Sequence, residues 1–167
     1  MPIETATRTA YDEDMEAFRD TVRAFMRDRV LPNADQWDAD KIVPKSIWRE
    51  AGELGMLCPT VPEEYGGLGL DFRYNAIVDE EAAYGAGTTL GFSLQSDIVA
   101  DYIINYGSEE QKKEWLPKMV SGEVVTAIAM TEPGVGSDLQ SIQTSAKKDG
   151  NHYVVNGSKT YITNGQN

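Results

Sequence analysis

The chain is short of the residue types that build metal centres and disulfide frameworks. Its 167 residues include one cysteine, Cys58, and one histidine, His152. A lone thiol closes no internal disulfide, and one thiol with one imidazole makes no ligand cluster, so no structural metal is expected. Basic residues are scarce too: 15 Lys and Arg stand against 27 Asp and Glu, a formal charge of −12. That balance repels phosphate backbones and anionic headgroups, which sets nucleic acid aside as a partner. No apolar run approaches the ~20 residues of a membrane-spanning helix. The opening MPIETATRTAYDEDMEAF shows neither a basic-then-apolar leader nor an Arg-rich, acid-poor transit pattern. The expectation is a cytoplasmic chain with no membrane span. Internal repeats and low-complexity tracts are missing as well.

What is present begins with helical periodicity. Met15, Phe18, Val22, Phe25, Met26 and Val30 share one face at the 3.6-residue period, behind Asp12, Glu13 and Asp14, whose charges suit the positive end of a helix dipole. A second helix is predicted from Pro44 through Ile47, Trp48 and Leu54, with Gly55 as its stop. Between Val61 and Asp71, Gly66, Gly67 and Gly69 lie within four positions and Pro62 stands near the start, which predicts an ordered loop. Tyr74, Ile77, Val78 and Ala82 carry a third helix ending near Gly85 or Gly87. Leu90 to Tyr106 is apolar on nearly every face and reads as a helix buried at the centre of a bundle. Ser108 with Gln111 three residues on is a capping-box signature, and the helix it opens should end near Gly122.

From Val124 the period changes to two. β-Branched runs at Val124–Ile128, Ile142–Ala146, Tyr153–Val155 and Thr160–Thr163 predict strands, with Asp149-Gly150, Asn156-Gly157 and Asn164-Gly165 as turns. The fold class predicted is α+β: a helical bundle over residues 1–122, then an incomplete antiparallel β-domain from 123 to 167.

At the switch lies Thr131-Glu132-Pro133-Gly134-Val135-Gly136-Ser137-Asp138. Gly134 and Gly136 let backbone N–H groups converge without Cβ interference, and Thr131 and Ser137 offer hydroxyls, a set suited to an acceptor-rich ring or a pyrophosphate. Gly-Xaa-Gly in a loop is more often a plain turn, so spacing leaves both readings open.

The segment Ala127 to Asp138 resembles the first signature of the acyl-CoA dehydrogenase family. Three further segments are similar to the same family in the same order: the Pro62–Asp71 loop, Gly107-Ser108-Glu109-Glu110-Gln111-Lys112 leading to Leu116-Pro117, and Asn156-Gly157-Ser158-Lys159 leading to Tyr161-Ile162-Thr163-Asn164. The resemblance covers essentially everything after the first dozen residues. Gly91 to Val99 and Asp138-Leu139-Gln140 look most like the long-chain branch.

That resemblance implies a helical N-terminal domain, a middle β-domain and a C-terminal helical domain, with FAD between the last two. The third is absent from this chain and the second incomplete. Ile128, Met130, Thr131, Gly136 and Ser137 match positions around the flavin, and Ser137 also matches one touching the pantetheine arm of the acyl-CoA substrate. Tyr161, Ile162 and Thr163 match the second flavin-contacting strand, with Thr163 near the reactive edge. The family usually has Trp or Phe where Tyr161 stands, and Tyr can still stack on an isoalloxazine.

The reaction implied is α,β-dehydrogenation of an acyl-CoA. A carboxylate takes the α-proton, the β-hydride passes to the flavin, and an electron-transferring flavoprotein removes the electrons. The family's catalytic glutamate belongs to the C-terminal domain, so Glu63, Glu64, Glu80, Glu81 and Glu132 are not promoted in its place and the chain alone is expected to be inactive. A homotetramer or homodimer is implied for the intact protein. Two other readings stand beside this one: a piece of an acyl-CoA oxidase or related flavin monooxygenase, and a non-catalytic binding or assembly module of 167 residues. His152, Lys112, Lys113 and Lys118 read as solvated, Cys58 as a small buried hydrophobe, and Trp37, Trp48 and Trp115 as core or interface anchors. Glu132 reads as an acceptor of hydrogen bonds within its own loop rather than a substrate contact.

Overall fold

A computed structural model describes residues 11–85 and 90–166. Helix α1 spans Glu13–Phe25, and its N-cap Asp12 accepts the Met15 N–H at 2.9 Å. The chain continues through a wide π turn, Met26–Val30, and a 3-10 turn, Leu31–Asn33, into a short helix α2, Ala34–Asp40. Periodicity predicted α1 but neither the π turn nor α2. Met15, Val22, Phe25, Met26 and Val30 are buried as expected. Arg19 is buried among them, which the apolar pattern did not foresee, because Glu80 and Glu81 reach it at 2.9 and 3.1 Å from the facing helix.

Helix α3 is Lys45–Glu53, with Pro44 as its N-cap rather than inside its first turn, and Gly55 at φ 72° ends it. Trp48 is fully buried and meets the Phe92 ring edge-on at 4.7 Å, whereas Leu54 is exposed just past the last turn. In the following loop Gly67 is obligatory: a Cβ there would lie 2.0 Å from the Val61 carbonyl oxygen. Helix α4 spans Arg73–Gly85 and packs on α1; the alternative stop, Gly87, lies outside the described residues.

Leu90–Tyr106 corrects an expectation. The helix is there over residues 92–106, its middle, Leu94–Val99, a wide π segment that runs into helix α5, Ala100–Tyr106, but it is not buried on every face. Phe92, Gln95, Ser96 and Ala100 face inward, while Ile98, Tyr102 and Tyr106 are 40%, 51% and 82% exposed. Composition hid this sidedness because the inward face holds two polar residues whose bonds are satisfied by distant parts of the chain: Gln95 donates to the Met119 carbonyl and Ser96 accepts the Cys58 N–H.

Helix α6, Glu109–Val120, opens on the predicted capping box, with Ser108 and Gln111 bonding reciprocally. Gly122, at φ 70°, ends it against α3, since a Cβ there would sit 2.2 Å from the Trp48 carbonyl oxygen. One core cluster joins Met15, Val22, Phe25, Ile47, Trp48, Ile77 and Phe92; a second joins Cys58, Val61, Tyr65, Ala100, Leu116 and Met119. Trp37 and Trp48 are core, but Trp115 is 39% exposed beneath the Lys118 ammonium. Burial pushes the Cys58 thiol up to about 12, which leaves it protonated and inert near neutrality.

The fold class is α+β. Its one sheet among the described residues pairs β1, Ser145–Asp149, with β2, His152–Asn156, antiparallel around Gly150-Asn151. Val124–Ile128 and Thr160–Thr163, expected as strands, join no ladder among these residues, and β1 begins three residues later than the apolar run at Ile142. β-Branched composition favours extended backbone, but a strand also needs a hydrogen-bonded neighbour. No described helix is long and apolar enough to cross a membrane.

Helix α4 carries one pH-sensitive contact. Asn75, 2% exposed, donates to Asp97 at 2.5 Å. One turn on, Asp79 is pushed up to about 7 by partial burial and by its hydrogen bond to Asp97. In the unfolded chain an aspartate ionises near ~3.9. The penalty is absent below that value and grows as pH rises toward the folded value near 7, so stability falls through this window. Replacing Asp79 with Asn should raise Tm by roughly 2–5 °C at about pH 8 and by less at about pH 5.5. Thermal melts at the two pH values check this; an equal gain at both would show that Asp79 and Asp97 share no proton.

Candidate functional site

The loop from Thr131 to Asp138 closes on itself, with Glu132 and Val135 exchanging N–H···O bonds at 2.9 and 3.0 Å. Pro133 and Gly134 occupy the reversal. A Cβ added at Gly134 or Gly136 would meet no described atom within 4 Å, so these glycines leave the outer face of the loop open rather than relieve a clash. Glu132 is buried. Its carboxylate accepts the Gln143 and Thr144 N–H groups at 2.8 and 2.9 Å and pairs with the Lys159 ammonium at 3.0 Å. The hydrogen bonds from Thr144 and Gln143, with Lys159 beside them, hold its carboxyl at about 2. The side chain is a hydrogen-bond acceptor as expected, but the expected partners inside its own loop are replaced by Gln143, Thr144 and Lys159 from neighbouring segments.

The second motif segment lies alongside. Thr160 N–H donates to the Thr131 carbonyl at 3.0 Å, and the Lys159 ammonium to the Met130 carbonyl at 2.9 Å. Met130 and Thr131 therefore sit next to residues 159–160, and the chain turns at Thr163, where the Gly165 N–H donates to the Ile162 carbonyl at 3.0 Å. Ile128, Thr131 and Ile162 are half-buried; Met130, Gly136, Ser137, Tyr161 and Thr163 are exposed. Tyr161 is 94% exposed and held at φ 55°, a left-handed conformation that a bulky aromatic rarely adopts. The structure thus brings the two segments together. Ser137 stands on the far side of the Glu132–Val135 reversal from Met130.

Three further residues, not singled out by residue type, set this arrangement. Gln95, fully buried, donates to the Met119 carbonyl at 2.9 Å and accepts the Thr126 N–H at 2.8 Å. Asn164 donates to the Gly91 and Thr126 carbonyls at 3.0 and 3.1 Å. Lys159 joins Met130 to Glu132. A polar residue inside an apolar run was the available signal for Gln95. Asn164 and Lys159 stand within a recognised motif, but their partners are distant in sequence and no local pattern points to them.

The family model described as "Acyl-CoA dehydrogenase, N-terminal domain" matches residues 12–123, and that described as "Acyl-CoA dehydrogenase, middle domain" matches residues 127–167. The long-chain specific acyl-CoA dehydrogenase of pig mitochondria is 48% identical over 158 residues, 95% of this chain and 37% of that protein. A crystal structure of an acyl-CoA dehydrogenase from Geobacillus kaustophilus superposes with a TM-score of 0.88 at 48% identity, covering 95% of this chain and 41% of the other. A glutaryl-CoA dehydrogenase from Mycobacterium smegmatis, solved with FADH2, gives 0.83 at 33% identity, covering 91% and 39%. The chain therefore spans about two fifths of the length of these relatives.

Substituting Gln95 with Leu keeps the volume but leaves the Thr126 N–H and the Met119 carbonyl without their partner. The expected loss is about 2–4 kcal/mol, or roughly 6–12 °C in Tm. Thermal or urea unfolding measures it, and a variant as stable as the parent would show that the junction does not rest on this amide.

Proposed function

This chain belongs to the acyl-CoA dehydrogenase family, and on that premise we propose that it forms one wall of the FAD site of an enzyme that oxidises a saturated acyl-CoA to the trans-2-enoyl-CoA. The observation that carries the reading is the side-by-side placement of two partly exposed segments, Met130-Thr131 and Tyr161 to Thr163, joined at Thr131 and Thr160. Together they present a thioether, two hydroxyls and an aromatic ring that the fold leaves uncovered at a strained backbone position. An apolar sulfur, a ring that can stack and hydroxyls that can donate fit a planar, acceptor-rich ring. The flavin, when bound, supplies the two-electron acceptor.

The roles of this chain's own residues are positional. Ile128, Met130, Thr131 and Gly136, with Tyr161, Ile162 and Thr163, contact the cofactor; Ser137 contacts both cofactor and the pantetheine arm. We read residues 1–122 as the helical domain and 123–167 as the start of the β-domain. The α-proton is taken by a carboxylate outside this chain. Glu80 and Glu81 are ion-paired with Arg19 and Glu132 is fully engaged, so none of the three is free to act as base. Electrons pass on to an electron-transferring flavoprotein.

The protein expressed from its complete reading frame should purify yellow. Saturated acyl-CoAs of graded length should bleach it without air, and the reduced form should reoxidise slowly when air is admitted. Rapid reoxidation would make it an oxidase instead, and a colourless protein with no affinity for added FAD would overturn the reading.

A further inference from the structure

We infer that Glu132 and Lys159 are a positioning pair that sets the register of the two cofactor-facing segments. The inference rests on the functional reading above. Its starting point is how little else fixes that register. Among the described residues, a single backbone hydrogen bond, Thr160 N–H to the Thr131 carbonyl, links residues 130–131 to residues 159–163, with no strand ladder around it. One bond acts as a pivot: it fixes a separation and leaves rotation free. The Lys159 ammonium supplies the second point by binding the Met130 carbonyl at 2.9 Å while paired with Glu132 at 3.0 Å.

The pair is built unlike an ordinary surface ion pair. The Glu132 side chain is 6% exposed and that of Lys159 21%. One Glu132 oxygen accepts the Gln143 N–H; the other accepts the Thr144 N–H and meets Lys159. A single carboxylate therefore ties the start of the loop, the segment entering β1 and the segment leaving β2. Charge-assisted bonds to fixed backbone donors orient the carboxylate, and the carboxylate orients the lysine. Rotation of residues 130–131 against 159–161 would displace Met130, Thr131 and Tyr161 together.

The test uses the protein from its complete reading frame, with FAD itself as the probe. Substituting Lys159 with Met should weaken FAD binding on the order of tenfold or more, and Lys159→Arg should restore it to within about threefold of the parent. Glu132→Gln should weaken it comparably, and the double variant should be no worse than about threefold below the weaker single, because both changes break one unit. Melts without cofactor and amide exchange at Thr160 accompany each titration. Faster Thr160 exchange in Lys159→Met, together with the lost affinity, supports the pair. FAD affinity within about twofold of the parent in Lys159→Met overturns it, even if Tm falls, because a purely structural contact would lower stability and leave the folded site unchanged. A parent protein that binds no FAD would instead bring down the functional reading.

Discussion

The Thr126 peptide is the point on which the two halves of this molecule turn. Its N–H goes to Gln95 and its carbonyl to Asn164, while Gln95 also holds the end of α6 through Met119 and Asn164 also holds Gly91. Gly91 must lack a side chain for this, since a Cβ there would lie 2.1 Å from the Asn164 amide oxygen. Three stretches of chain, around residues 91–95, 119–126 and 164, are thus joined by two side-chain amides. A bonded amide at a buried junction is more selective than apolar packing, because any shift leaves a donor or acceptor unpaired. The extended segment running from Thr126 to the loop inherits its position from that junction.

Charge is managed in a similar way. The whole chain carries a net charge of −12, and its helical half would repel itself if its carboxylates were left to solvent alone. Arg19 and Arg23 on α1 answer Glu80 and Glu81 on α4, with Arg23 reaching Glu81 at 2.8 Å. Removing one partner from such a buried set would strand the others, so the network constrains the α1–α4 packing more than it stabilises it. Asp79, beside Asp97, follows another course: burial and its hydrogen bond to Asp97 push its carboxyl up toward neutrality, at the cost of pH sensitivity.

Much of the helical half was legible from residue order, since caps and stops are local physics. Asp12, Ser108 with Gln111, Gly55 and Gly122 all act where their chemistry placed them. Sidedness was harder to read. In Leu90–Tyr106 the apolar count was high all round, and only a bonding partner for Gln95 shows which face points inward. The wide turns at Met26–Val30 and Leu94–Val99 were invisible because an extra residue per turn shifts the apolar face without changing composition. The two candidate segments were legible as motifs, whereas the contacts that hold them are long-range. Lys159 lies 29 residues from the carbonyl it binds, and Asn164 73 residues from Gly91.

Tyr161 and Asn164 both sit at positive φ, 55° and 63°, within four residues of each other. Neither is glycine, so each conformation carries strain that the surroundings must offset. For Asn164 the compensation is visible in its two amide bonds, and asparagine tolerates this region better than most residues. Tyr161 has no such compensation from its own ring, which is 94% exposed. The backbone around it is held instead from both sides, by Thr160 and Lys159 before it and Asn164 after it. Anchors that lock a segment while leaving its aromatic uncovered produce a preorganised surface: the ordering entropy is spent in folding, and a planar partner that stacks there need not supply it.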